Sequence, residues 1–150
     1  MANLQSQNRL FCFGTGYTAA HLATALAVQG WSIAGTCRSP DRQRALRAEG
    51  IEARLFDRGH TLDNGAAALA GCTHLLVSVP PDADGDLVLL SHASDIAAID
   101  GLRWVGYLST TGVYGDRDGG WVDEAAALCP SGKRGRARPA ARLLYTSPSP

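Results

Sequence analysis

Six residues near the start of the chain, Gly14-Thr15-Gly16-Tyr17-Thr18-Ala19, separate two stretches whose apolar residues recur with different periods. Before them, Leu10 to Phe13 is a short apolar run. After them, from Thr18, the residues Ala19, Leu22, Ala23, Leu26 and Ala27 share one helix face. A glycine-rich passage from strand to helix has a specific use. Gly14 permits the tight turn, Gly16 lets the main chain come close to a pyrophosphate, and Ala19 lets the helix lie close on the strand, so the amides at the helix start face the phosphates. This reading assigns Gly14, Thr15, Gly16, Tyr17 and Thr18 to cofactor binding. The same glycines also serve plain turns, which leaves a purely structural role open.

The rest of the chain repeats the alternation. Gly30 stops the first helix, Trp31 to Thr36 reads as a second strand, and Ser39-Pro40-Asp41 opens a second helix as N-cap, first helical residue and dipole partner, running to about Glu49. Gly50 breaks that helix. Ile51 to Phe56 gives a third strand, Leu62 to Ala70 an alanine-rich helix, His74 to Val79 a fourth strand, Leu87 to Ile99 a fourth helix, and Trp104 to Ser109 a fifth strand. Strands alternating with helices predict an α/β fold, a doubly wound parallel sheet covered on both faces. From Gly115 onward, glycine-, aspartate- and arginine-rich segments predict loops and one helix. The domain is expected over residues 9–142, with a polar tail at 1–8 and an irregular tail at 143–150 that reads as foreign to it.

The end of the second strand bears on the choice of dinucleotide. A site that prefers NAD usually places a carboxylate about twenty residues past the glycines, on the ribose 2′-hydroxyl. Here Cys37-Arg38-Ser39 occupies that place. Arg38, with Ser39 and Arg42 beside it, suits a 2′-phosphate, so NADP(H) is the preferred cofactor and NAD(H) the alternative. Arg38 as a plain solvated residue is the competing reading. Asp57, at the end of the third strand, is assigned to the adenine edge or else to a loop cap. Val79 and Pro80 are assigned to the cofactor's side at the fourth strand, or to strand termination alone.

Composition narrows the partners. Fourteen basic residues balance fourteen acidic ones, so overall charge steers the chain toward neither nucleic acid nor an anionic membrane. Cys12, Cys37, Cys72 and Cys129 have no C-x-x-C spacing and suit reduced thiols, and the four histidines show no metal-ligand spacing, so no metal is assigned. His74 reads as a satisfied structural residue. The basic cluster from Lys133 to Arg142 reads as a solvated helix face. The polar start and the lack of a long apolar run give no membrane partner and a cytoplasmic location.

With the glycine motif, Asp57, and Leu108-Ser-Thr-Thr-Gly-Val-Tyr-Gly-Asp116 after strand five, the chain resembles an extended or atypical short-chain dehydrogenase/reductase of the NAD-dependent epimerase/dehydratase type, a Rossmann fold. The match runs from residue 9 to about 142 and includes Gly120-Trp-Val-Asp-Glu124 and Pro130-Ser131. The resemblance implies that Thr110, three residues before Val113, contacts the substrate oxygen, and it makes Thr110 the candidate catalytic residue.

The resemblance also implies a Tyr-x-x-x-Lys pair, and the sequence has none: Arg134 and Arg138 stand where the family places Tyr and Lys. Arginine stays protonated and moves no proton at neutral pH, although Arg138 can hold a ribose or phosphate. Such a departure is similar to atypical members that keep the nucleotide site and lose the catalytic pair. The family's later strands and substrate lobe are expected after residue 142, so the chain reads as truncated or chimeric, with strand five left as an apolar edge. Three functions are carried forward: an NADP(H)-dependent oxidoreductase or nucleotide-sugar epimerase-like enzyme acting on a small molecule, with Tyr114 as a conceivable proton donor; a non-catalytic NADP(H)-binding regulatory module; and an inactive fragment.

Overall fold

The computed structural model of the chain describes residues 8–130. Residues 1–7, the basic stretch from Lys133 to Arg142 with Arg134 and Arg138, and the tail from 143 to 150 lie outside the described residues. The elements run β1 (Arg9–Phe13), α1 (Tyr17–Ala27), β2 (Ser32–Cys37), α2 (Pro40–Ala48), β3 (Glu52–Leu55), α3 (Gly65–Leu69), β4 (His74–Val77), α4 (Leu87–Ala97) and β5 (Trp104–Tyr107), followed by a 3-10 turn at Thr111–Val113. All pairings are parallel and the order is β3-β2-β1-β4-β5. The expected doubly wound sheet is therefore present. Strand order reverses between β1 and β4, and ligands of open α/β sheets bind outside the carboxyl ends at such a point.

Residues of β1 alternate between two cores because successive side chains leave opposite faces of a strand. Phe11 and Phe13 pack with Phe56, Leu69, Leu75, Val77 and Val88 on the α3/α4 side. Leu10 and Cys12 pack with Ala19, Ala23, Ile33, Leu46 and Leu76 on the α1/α2 side. Burial on both faces explains why the run Leu10 to Phe13 is continuously apolar.

The two long helices on the α1/α2 side end alike. Gly30 (φ +80°) donates to Ala27 O at 3.0 Å and Trp31 to Leu26 O at 3.2 Å; Gly50 (φ +81°) donates to Arg47 O at 3.0 Å and Ile51 to Leu46 O at 3.0 Å. Each glycine takes the left-handed conformation that closes the last turn and returns the chain to the sheet. Ser39 caps α2 as expected, its Oγ accepting from Arg42 N at 3.3 Å, with Pro40 at the first helical position.

Several boundaries differ from expectation. The helix expected over Leu62 to Ala70 is only Gly65–Leu69, capped by Asn64, because Leu62 gives its N–H to Nε2 of His92 at 3.2 Å. β4 ends at Val77, after which Ser78 keeps one backbone bond to Phe13 O at 2.9 Å and turns its hydroxyl to Gly14 O at 2.6 Å, and β5 ends at Tyr107. α4 is bent at His92 (φ −135°, ψ 20°), whose ring stays in the core beside Phe13 and Phe56. The stretch from Gly115 to Pro130 contains turns and no regular element. Among the described residues no strand pairs with the outer side of β5; Val105 and Tyr107 pack against the α3/α4-side core, and Trp104 folds over the bare Gly106.

Candidate nucleotide-binding site

β1 delivers the chain to Gly14, where φ is +86° and a Cβ would sit 2.6 Å from Ser78 Oγ. The chain itself thus explains this glycine. Both neighbouring strands hold the turn: Gly14 N donates to Thr36 Oγ1 at 2.8 Å, Thr15 N to Thr36 O at 2.8 Å, and Ser78 Oγ to Gly14 O at 2.6 Å. Thr15 is buried, packed against the bare Gly35 of β2.

Gly16 is different. Its φ is −79°, open to any residue, and among the described residues no atom lies within 4 Å of where its Cβ would stand. Nothing in the described residues calls for a glycine here. It stands at the start of α1, which has no side-chain cap and no acidic residue in its first turn. The first amides of a helix lack intrahelical acceptors and carry about half a positive charge between them, so this end of α1 offers favourable electrostatics to an anion. Tyr17 and Thr18 are exposed on that turn, the Tyr17 ring lying tilted against His21 with centroids 4.2 Å apart, and Ala19 is buried beneath it.

Arg38 and Ser39 follow β2. Arg38 is exposed and makes no ion pair among the described residues. Ser39 spends its acceptor on the α2 cap and keeps a hydroxyl proton to donate. Asp41, the acidic residue in the first turn of α2, is paired with Arg44.

Asp57, after β3, closes a tight turn. Its Oδ1 accepts from Gly59 N at 2.7 Å and faces His60 Nδ1 at 3.0 Å, so the loop-cap alternative is realised. The His60 bond, then the Gly59 N–H, hold its carboxyl below the usual range. Oδ2 makes no hydrogen bond among the described residues. After β4, Val79 packs against the core and Pro80 is exposed. Asp82 and Gly85 then exchange backbone hydrogen bonds of 2.9 and 3.3 Å, and Asp86 caps α4 by accepting from Val88 and Leu89. Thr110, after β5, caps the 3-10 turn with a long 3.4 Å bond from Gly112 N.

Every expected site residue therefore lies at the carboxyl edge of the sheet, in strand order. Asp57 and Thr110 are at opposite ends of it, each two strand spacings, about 10 Å, from the strand that carries the glycines. Thr36 and Ser78, which hold the glycine turn, escape a reading of the sequence, because their nearness to Gly14 depends on strand order. His74 is the structural residue expected, bonded to Thr73 Oγ1 at 2.9 Å and packed against Trp31.

A shallow polar groove of about 450 Å³ runs along the outer side of β3, lined by Gln43, Arg47, Arg54, His60 and Asp63 among others. None of the expected residues lines it, and Gln43 and Arg47 already donate to Ala53 O, so it serves as cover for an edge strand. Among the described residues no group of three or more His, Cys, Asp or Glu is placed to hold a metal ion, and no helix is long and apolar enough to cross a membrane.

No protein-family model and no curated protein matches the sequence. Among solved structures, a functionally unknown conserved protein from Silicibacter pomeroyi DSS is similar at 48% identity over 94% of this chain and 48% of its own, with a TM-score of 0.81. UDP-glucuronic acid 4-epimerase from Bacillus cereus, in complex with NAD, is similar at 16% identity over 92% of this chain and 51% of its own, TM-score 0.68. A short-chain dehydrogenase/reductase superfamily protein from Agrobacterium tumefaciens with bound NAD gives 17% identity, 92% and 44% coverage, and a TM-score of 0.65. The chain spans about half the length of these structures.

Proposed function

We propose, for a chain whose fold is that of one half of the NAD-dependent epimerases and short-chain dehydrogenases/reductases, that it binds a nicotinamide dinucleotide along the carboxyl edge of its sheet and takes NADP(H) in preference to NAD(H). The observation that carries this reading is Gly16. A glycine that neither backbone conformation nor packing requires, at the uncapped start of α1, leaves room for a pyrophosphate to approach the main chain. The NAD named with two of the similar structures supports the ligand class. Arg38 and the Ser39 hydroxyl at the end of β2, where no carboxylate stands, favour a 2′-phosphate. Asp57 Oδ2 takes the adenine amino group, and Val79 and Pro80 flank the cofactor. The domain runs over residues 9–142 of a protein placed in the cytoplasm.

The dinucleotide would supply hydride chemistry, with Thr110 holding a small-molecule substrate oxygen, in an oxidoreductase or epimerase-like enzyme. A specific feature favours a second reading: no Tyr-x-x-x-Lys exists anywhere in the sequence, which suits a binding module whose NADP(H) occupancy is read by a partner. Gly16→Val separates either reading from a plain turn. Loss of NADPH binding in a variant as stable as the parent is the expected result, and undiminished binding contradicts the site.

A further inference from the structure

The loops after β3 and β4 are joined across the carboxyl edge by one side chain. Arg58 donates through Nε to Asp82 Oδ2 at 2.9 Å, and its Nη2 pairs with Asp82 and, at 2.9 Å, with Asp84 Oδ2. β3 and β4 are not neighbours in the sheet; β2 and β1 lie between them. With strands about 4.8 Å apart, the loops close a span of roughly 14 Å in front of those two strands. Each partner is itself a tight turn, Asp57 with His60 and Asp82 with Gly85 exchanging backbone hydrogen bonds. The tie therefore joins two preformed pieces. Arg58 follows Asp57 directly, and Asp82 stands two residues past Pro80, so the tie runs from the loop assigned to the adenine edge to the loop assigned to the cofactor's side.

We propose that Arg58 and the carboxylates of Asp82 and Asp84 form a clasp across the nucleotide site, from its adenine edge to the loop after β4, which parts to admit the dinucleotide and closes behind it. This rests on the nucleotide reading above. The three side chains are 52%, 41% and 71% exposed. Ion pairs so exposed are individually weak, so the clasp opens readily and acts on rates more than on fold stability. It slows entry and release together.

The test is stopped-flow binding of NADPH to the whole chain, to Arg58→Met, to the charge swap Arg58→Asp with Asp82→Arg, and to Arg44→Met, which removes an exposed pair on α2. In Arg58→Met, association and dissociation rates are both expected to rise about 5-fold, the loss of a tie of this exposure. The swap returns both rates toward the parent, and Arg44→Met leaves them unchanged. A change in dissociation alone, or a swap that restores nothing, overturns the clasp in favour of a direct contact between Arg58 and nucleotide. NADPH binding with unchanged rates in Arg58→Met overturns the clasp alone. No binding by the parent chain overturns the nucleotide reading and the clasp with it.

Discussion

Thr36, on β2, accepts the amide hydrogen of Gly14 on its hydroxyl at 2.8 Å, and its carbonyl accepts that of Thr15 at the same distance. A side chain only 1% exposed thus fixes the backbone that turns from β1 toward α1. Thr36→Val keeps the shape and removes the acceptor, leaving the Gly14 N–H unpaired. A cost of about 1–3 kcal/mol is expected by urea denaturation, with weaker NADPH binding, whereas Thr36→Ser stays close to the parent.

α3 and α4 meet through His92, Asp95 and Gly65. The Leu62 N–H donates to His92 Nε2, which puts the ring proton on Nδ1, facing Asp95 Oδ2 at 2.8 Å. A Cβ on Gly65 would collide with that carboxylate. Gly65→Ala is expected to destabilise the chain by about 1–3 kcal/mol through overpacking. His92→Leu strands both partners of the ring, and a double-mutant cycle with Asp95→Ala should give a coupling of about 0.5–3 kcal/mol. A coupling of zero would remove the pair from the account.

The thiols should divide three to one. Cys12, Cys37 and Cys72 are buried and Cys129 is exposed. Burial, with the neighbouring Cys72, pushes the Cys12 thiol up to about 12, and burial also raises Cys37 and Cys72. A thiol reagent at mildly alkaline pH is expected to label Cys129 quickly in the native chain and the other three only on unfolding. Fast labelling of Cys12 in the folded chain would contradict the β1 packing.

Asp57 and Asp82 titrate below the ordinary carboxyl value of 3.8, Asp57 chiefly through His60 and Asp82 chiefly through Arg58. A folded value lower than the unfolded one contributes stability above the unfolded value, lost as pH falls through the folded value. The Asp82 turn, whose partner Arg58 stays charged throughout, is therefore expected to stay unchanged from neutral pH down to about 5 and to loosen only in stronger acid. Carboxyl-carbon chemical shifts should give both midpoints below 3.8, and Arg58→Met should raise that of Asp82. A midpoint that ignores Arg58 would contradict the pairing.

Arg38→Asp places a carboxylate where a 2′-phosphate is proposed. The ratio of NADPH to NADH affinity should fall at least tenfold, since repulsion replaces a charge-assisted hydrogen bond. An unchanged ratio would take Arg38 out of the site.

Local signals made much of this architecture legible. The glycine turn, the periodic face of α1, and the Ser39-Pro40 start of α2 each lie within a few residues, so sequence alone places them. Most strands follow from short apolar runs bounded by glycine or proline, and β3 from the alternation of Ile51, Ala53 and Leu55 with Glu52 and Arg54. What escaped depends on residues far apart in the chain. The alanines of α3 predicted a longer helix, but Leu62 gives its N–H to His92, thirty residues on, and the helix starts only at Gly65. The Ser78 hydroxyl, just past β4, bonds to Gly14, sixty-four residues before it. Arg58 meets Asp82 only because two loops fold to the same edge, and no local pattern announces which loops will meet. The candidate site was legible as a set of strand ends, while the hydroxyls and ion pairs that hold it were not.

The central claim, that the open start of α1 at Gly16 holds the pyrophosphate of NADP(H), is tested most directly by calorimetric titration of the folded chain with NADPH and with NADH. The account predicts saturable binding of one nucleotide per chain, tighter for NADPH. A folded, soluble chain that takes up neither nucleotide would contradict it.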